Sequence, residues 1–203
     1  MICKKTIYTG MDAWYALCDE CRERLQINES QNTDTISLFP YTGPYKKLLR
    51  AYKFSRNLNT ANFLAEVLVR HLNARLPEFS ESAGQQDLCF VPVPPRPGKI
   101  HTSGWDQVEF LARRIEAIKT NKAQRAYEVQ RCLRRLKSTS QKTLTRDARL
   151  QNLRGKIVCT KKPPRYALLL DDVRTTGATL DACKEALLQA GSERVQAVTL
   201  FYD

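Results

Sequence analysis

Thirteen residues, Leu168-Leu-Leu-Asp-Asp-Val-Arg-Thr-Thr-Gly-Ala-Thr-Leu180, constrain this chain more than any other stretch. An apolar run enters two adjacent carboxylates, a loop of small hydroxyl and glycine residues follows, and then a helix pattern begins. The segment Tyr166 to Leu170 is short and apolar throughout, which predicts a strand buried on both faces, as in a parallel sheet. Leu180, Cys183, Leu187 and Ala190 recur at helical spacing and predict an amphipathic helix from Thr179 onward, stopped at Gly191. Val195 to Phe201 reads as the next strand, which completes a βαβ unit. Ligands of such sheets sit beyond the carboxyl ends of the strands, where Asp171 to Thr179 fall.

The order of these residues suits a phosphorylated sugar. Asp171 and Asp172 can accept hydrogen bonds from two ribose hydroxyls. Thr175, Thr176, Gly177, Ala178 and Thr179 can offer hydroxyls and backbone N–H groups to a phosphate, at the positive end of the following helix. Gly177 lacks a Cβ, so backbone can approach the phosphate closely. The competing reading is a buried strand that ends in an ordinary turn with solvated acids.

The rest of the chain supplies further elements. Ile36 to Tyr41 is a candidate strand, Tyr45 to Tyr52 a helix, and Thr60 to Leu76 a second helix with Phe63, Leu64, Val67, Leu68, Leu72 and Leu76 as its apolar stripe. Leu88 to Val93 is a strand, and Trp105 to Ile118 a helix. Pro94 to Thr102, with three prolines and Gly98, is expected to be irregular. Residues 1–28 read as an appendage, Gln26 to Thr35 as a polar linker, and 36–203 as the main α/β domain.

Charge is unevenly placed. The net charge is +12, yet Lys119 to Arg165 holds fifteen basic residues against two acids, while the remainder holds eighteen against nineteen. Such a block is either a solvated face or an anion-binding surface, for pyrophosphate at close range or for nucleic acid over a wider area. The chain has no apolar run of membrane-span length, and its N-terminus lacks a signal-peptide core. The expectation is a soluble, cytoplasmic protein without a membrane partner. Seven cysteines in such a chain argue against a disulfide framework, and reduced core thiols are expected at Cys89, Cys132, Cys159 and Cys183.

Leu168 to Leu180 resembles the phosphoribosyl-pyrophosphate motif of the type I phosphoribosyltransferases. Within that superfamily the chain resembles the ComF group of competence-associated proteins. Phe90 to Pro95, Ser103-Gly-Trp-Asp-Gln107, and the Gln, Arg and Asn between Gln141 and Asn152 carry the narrower match. The resemblance implies a Rossmann-like fold with a central, mostly parallel sheet. It also implies an enzyme that binds phosphoribosyl pyrophosphate with Mg²⁺ and transfers the phosphoribosyl group, with Asp171, Asp172 and Arg146 in catalytic positions. The loop with Arg96, Lys99, Ser103 and Gly104 would bind pyrophosphate, using the Ser103 and Gly104 amides near a helix start. Ser103 stands where the group usually has arginine, and Asp106 where it usually has asparagine. A lost cation and a gained acid weaken the expected contact with pyrophosphate. The alternative is a non-catalytic, nucleotide-regulated module that contacts single-stranded DNA or a competence helicase.

Cys18 and Cys21 form one Cys-x-x-Cys knuckle, and Cys3 adds a third thiolate for Zn²⁺. Thr6 stands where a second knuckle needs its cysteine. His71 or His101 is left as a fourth ligand, against a degenerate knuckle without metal.

Overall fold

The structure, a computed structural model, describes residues 25–32, 34–53, 58–80, 88–118, 127–137, 153 and 155–203. Eight strands are described: β1 (Ser30–Asn32), β2 (Thr35–Pro40), β3 (Leu88–Pro92), β4 (Glu128–Val129), β5 (Leu133–Arg135), β6 (Ile157–Cys159), β7 (Tyr166–Arg174) and β8 (Arg194–Tyr202). The helices are α1 (Gly43–Lys53), α2 (Leu58–Ser80), α3 (Lys99–Ser103), α4 (Gln107–Ala117) and α5 (Ala178–Gln189). Strands β1-β2-β8-β7-β3-β4 form one sheet, in that order, and β5 pairs with β6 beside it. Only the β1–β2 pair of the larger sheet is antiparallel.

The apolar run of β7 explains its central place. Strand alternation sends Leu168 and Leu170 into a cluster with Leu48, Tyr52, Leu64 and Leu111, on the side of α1, α2 and α4. Ala167 and Leu169 enter a second cluster with Leu180, Cys183 and Leu187 of α5, on the opposite side. A strand covered on both faces has no place for polar side chains until its end, so an unbroken apolar stretch is what this position requires.

β7 does not stop at Leu170. Its parallel pairing with β8 continues through Asp171↔Thr199, Val173↔Phe201 and Arg174↔Tyr202. The aspartates therefore stand on a rigid ladder, and the irregular loop starts only at Thr175. Arg174 is fixed at the strand end by bonds to Ser37 Oγ at 3.3 Å and Ser30 Oγ at 3.1 Å.

Two expectations need correction. The polar stretch Gln26 to Thr35 is not only a linker, because Ser30–Asn32 adds the edge strand β1 and Leu25 is buried in the core. The sheet thus begins before the expected boundary at 36. The proline-rich loop also contains regular structure. Its prolines precede Gly98, whose left-handed φ of 80° starts the single-turn α3, and a second left-handed glycine, Gly104, ends it at φ 70°. Among the described residues no helix is long and apolar enough to cross a membrane.

Candidate active site

The carboxyl ends of β7 and β3 meet the starts of α4 and α5, and the polar residues of the chain converge there. Alternation along β7 gives Asp172 to the α1/α4 side. Its Oδ2 accepts from Gln107 Nε2 at 2.8 Å and lies 3.0 Å from Lys53 Nζ. Asp172 is only 5% exposed, and burial at that level is tolerated because a cation and an amide both satisfy it. Asp171 is part-buried and accepts from the Asp172 amide at 2.8 Å. Burial, and next the charge of Asp172, push the Asp171 carboxyl well above the ordinary carboxylate range, with Lys53 opposing.

Gln107 is the joint of the site. While its Nε2 serves Asp172, its Oε1 accepts from Lys99, and its backbone carbonyl accepts from the Tyr52 hydroxyl. Burial first, then Asp172 and Asp106, push the Tyr52 phenol well up, so it stays a neutral donor. Lys99 Nζ also lies 2.6 Å from Asp106 Oδ2. Asp106 in turn caps α4, with Oδ1 accepting from the Glu109 amide at 2.9 Å. Trp105 packs edge-on against Tyr52 and Phe110 and serves the core.

The loop after β7 presents Thr175, Thr176 and Gly177 ahead of α5. Gly177 is the residue before the helix, at φ 79°, and no side chain caps the start. Thr176 Oγ1 approaches the Ala178 amide only at 3.5 Å. The first-turn amides of a twelve-residue helix therefore keep donor capacity beside the aspartates. Thr175 is exposed, Thr176 and Thr179 are part-buried, and Ala178 is buried against the second core cluster.

The other expected site residues divide. Arg96 is exposed on the loop after β3. Lys99, expected as a cation for pyrophosphate, is instead held by Asp106 and Gln107. Ser103 and Gly104 close α3 and lie three and two residues before Asp106, the cap of α4, so they are near a helix start as expected. The Gly104 amide donates to Ile100 O at 2.8 Å, and the Ser103 hydroxyl donates to Lys99 O at 2.6 Å. Arg146, Cys3, Cys18 and Cys21 lie outside the described residues. Among those described, no cluster of three or more metal-ligating side chains occurs, and His71 pairs with Glu29 at 2.7 Å.

Three residues of the site are not assigned a role there by the sequence. Lys53 and Gln107 are single polar residues on helices far along the chain from Asp172. Arg135, at the end of β5, is the third. Its Nε is buried without a hydrogen-bond partner. Burial, and next the charge of Arg96, lower its pKa, while Cys183 and Asp171 oppose that shift. Arg135 thus combines an unmet buried donor with the opposing influences of the Arg96 and Asp171 charges. A cavity of about 760 Å³ between α2 and α4 is lined by residues such as Glu66, Arg70, Asn73 and Arg114 and does not reach the aspartates.

No family model matches the chain. Over 184 residues it is 27% identical to the competence protein ComFC of Streptococcus pneumoniae (strain ATCC BAA-255 / R6), a match that covers 90% of this chain and 74% of the relative. A hypoxanthine phosphoribosyltransferase from Staphylococcus aureus is similar in structure, with a TM-score of 0.40 and 16% identity. That match covers 70% of this chain and 65% of the other, so the chain spans less than two thirds of that protein.

A mostly parallel sheet of this order, with a central strand that ends in paired aspartates and a threonine–glycine loop before a helix, defines an α/β protein whose candidate site lies beyond the carboxyl ends of its strands. The match to ComFC runs through that sheet and most of the chain. The chain is thus similar to a competence protein over most of its length.

Proposed function

We propose that the site binds a 5′-phosphorylated ribose, with phosphoribosyl pyrophosphate and Mg²⁺ as the reactive combination, and that the protein transfers the phosphoribosyl group to or from an acceptor. The observation that carries this is the uncapped start of α5 set directly behind Asp171 and Asp172 on a rigid strand. Amides there donate to a phosphate, and the carboxylates lie where a ribose attached to that phosphate presents its hydroxyls.

Each residue has a distinct task. Thr175, Thr176 and the amides from Gly177 to Thr179 hold the 5′-phosphate. Asp171 and Asp172 accept the ribose 2′- and 3′-hydroxyls, which fixes the sugar ring. Lys53 and Gln107 fix Asp172 so that it does not turn away. Arg135 and Arg96 stabilise the negative charge that develops on a departing pyrophosphate, a contribution made mainly in the transition state.

The residues fit a hydrated Mg²⁺. Lys53 already balances Asp172, whereas Asp171 is the carboxyl that its surroundings drive toward protonation, and a nearby cation reverses that. Mg²⁺ keeps several waters and takes one or two carboxylates together with phosphate oxygens, so Asp171, through water, would hold it. When bound it would neutralise diphosphate charge.

The direct test is phosphorus NMR of purified protein with phosphoribosyl pyrophosphate, Mg²⁺ and a panel of nucleobases. Pyrophosphate release that depends on a base and vanishes in Asp171→Ala supports the reading. Release equal to a protein-free control for every base removes the catalytic half of it.

The link to DNA uptake comes from the ComF match. A nucleic-acid surface on the central basic block has limited support among the described residues. Arg131 there is engaged by Glu109 and Glu116, and Arg165 by Glu193. These two cations are already balanced by carboxylates.

A further inference from the structure

Lys99, a cation of the segment after β3, already has an anion. Lys99 Nζ lies 2.6 Å from Asp106 Oδ2, and the Asp106 side chain is almost fully buried. Asp106 cannot swing away freely, because Oδ1 is fixed to the Glu109 amide at 2.9 Å and caps α4. Lys99 cannot turn freely either, since it also donates to Gln107 Oε1, whose own amide is tied to Asp172 at 2.8 Å. A ligand anion at this end of the site must therefore compete with a carboxylate that is in place beforehand and shielded from water.

That competition is selective. A ribose carrying only a 5′-phosphate places its charge at Thr175 to Thr179, on the α5 side, and asks nothing of Lys99. A ribose that also carries a diphosphate on C1 brings up to three further charges to the opposite end of the sugar. It must either break the Lys99–Asp106 pair or lie beside an acid.

We propose that Asp106 is a specificity-determining residue: by holding Lys99 it lowers the affinity of the site for ribose ligands with a diphosphate on C1 relative to those with a 5′-phosphate alone. This rests on the proposed ribose-phosphate site and refines its ligand class. Nucleoside monophosphates and ribose 5-phosphate become the favoured resting ligands, and the diphosphate donor binds only weakly.

The experiment is calorimetric titration of the full chain with ribose 5-phosphate and, separately, with phosphoribosyl pyrophosphate plus Mg²⁺. It compares wild type, Asp106→Asn, Lys99→Met and the double variant. Asparagine caps a helix as well as aspartate does, so α4 keeps its start, and a thermal melt of each variant verifies folding. Asp106→Asn is expected to raise the affinity ratio, diphosphate ligand over ribose 5-phosphate, by roughly tenfold, the size of one charge-assisted hydrogen bond regained. The gain should disappear in the double variant, and Lys99→Met alone, which leaves the acid unpaired, should not raise the ratio. If ribose 5-phosphate binds at one site per chain and Asp106→Asn leaves the ratio where it was, the role of Asp106 is overturned while the site stands. If neither ligand binds any folded variant, the site reading falls and the role of Asp106 falls with it.

Discussion

Gln107 donates from Nε2 to Asp172 Oδ2 across 2.8 Å, and this bond joins the start of α4 to the end of β7. Its other amide atom accepts from Lys99. One neutral side chain thus separates a lysine–aspartate pair at one end from a second lysine–aspartate pair, Lys53 and Asp172, at the other. The geometry of the aspartates depends on a residue that itself carries no charge.

Gln107→Leu is accordingly expected to destabilise the protein by about 1–3 kcal/mol, the range for stranding a buried polar partner. It should also weaken ribose 5-phosphate binding, because Asp172 loses one of its two fixed partners. Urea unfolding and calorimetry on the same preparation check both parts. A variant that binds normally would show that Asp172 is positioned by Lys53 alone.

Asp171 predicts a stability that depends on pH. Its pKa in the folded chain is raised, by burial first and by Asp172 second. Its favourable contribution is therefore complete below the unfolded value of about 3.9 and is lost as pH rises through the folded value. At pH 7 the wild type bears an ionisation-linked cost of burying Asp171 that Asp171→Asn does not. The variant should melt higher at pH 7, by about 1 kcal/mol in stability, the usual size of a stabilising change at a functional site. The gap should close as the pH falls toward 4, and ribose-phosphate binding should drop. A gap that grows on acidification would contradict this assignment.

Gly177 and Gly191 make a matched pair. Both have left-handed φ, 79° and 107°, and a Cβ at Gly177 meets nothing nearer than Asp181 Oδ2 at 3.8 Å. Alanine at either position should cost about 1 kcal/mol through backbone strain. Gly177→Ala should in addition lose phosphate affinity, because the strain falls on the loop that holds it. Gly191→Ala, at the other end of α5, should not. Equal binding by the two variants would separate the loop from the phosphate.

Arg135→Met removes a buried Nε that has no partner and a charge that faces Arg96. Thermal stability is expected to hold or rise, while affinity for inorganic pyrophosphate falls. Arg135→Lys keeps the charge without the planar donor set and should recover little of it. A variant with lost stability and unchanged anion affinity would mark Arg135 as purely structural.

Much of the fold is legible in the sequence because burial on two faces writes itself plainly. Tyr166 to Leu170 has no polar interruption, and Leu180, Cys183 and Leu187 keep the helical spacing that buries them. The end of β7 is less legible. Asp171 and Asp172 look like loop residues, yet backbone pairing to β8 continues past them whatever their side chains are. β1 is hidden because a three-residue edge strand has no alternation to show. Lys53, Gln107 and Arg135 are hidden for another reason. Their roles arise from interactions across 119, 65 and 36 positions of chain to the aspartate pair, and neither the motif that holds Gln107 nor the basic block that holds Arg135 reveals those interactions. The loop motif was readable because its chemistry is local; the residues that hold it in place are not.

Calorimetric titration of wild-type protein and Asp171→Ala with ribose 5-phosphate, in the presence of Mg²⁺, tests the phosphate-sugar pocket most directly. The expected result is saturable binding at one site per chain in the wild type, and at least a tenfold loss in a variant that still folds, as expected when a charged hydrogen-bond acceptor is removed. Absence of binding to the folded wild type, or identical curves for the two proteins, would contradict the assignment of Asp171 to Thr179 as a ribose-phosphate site.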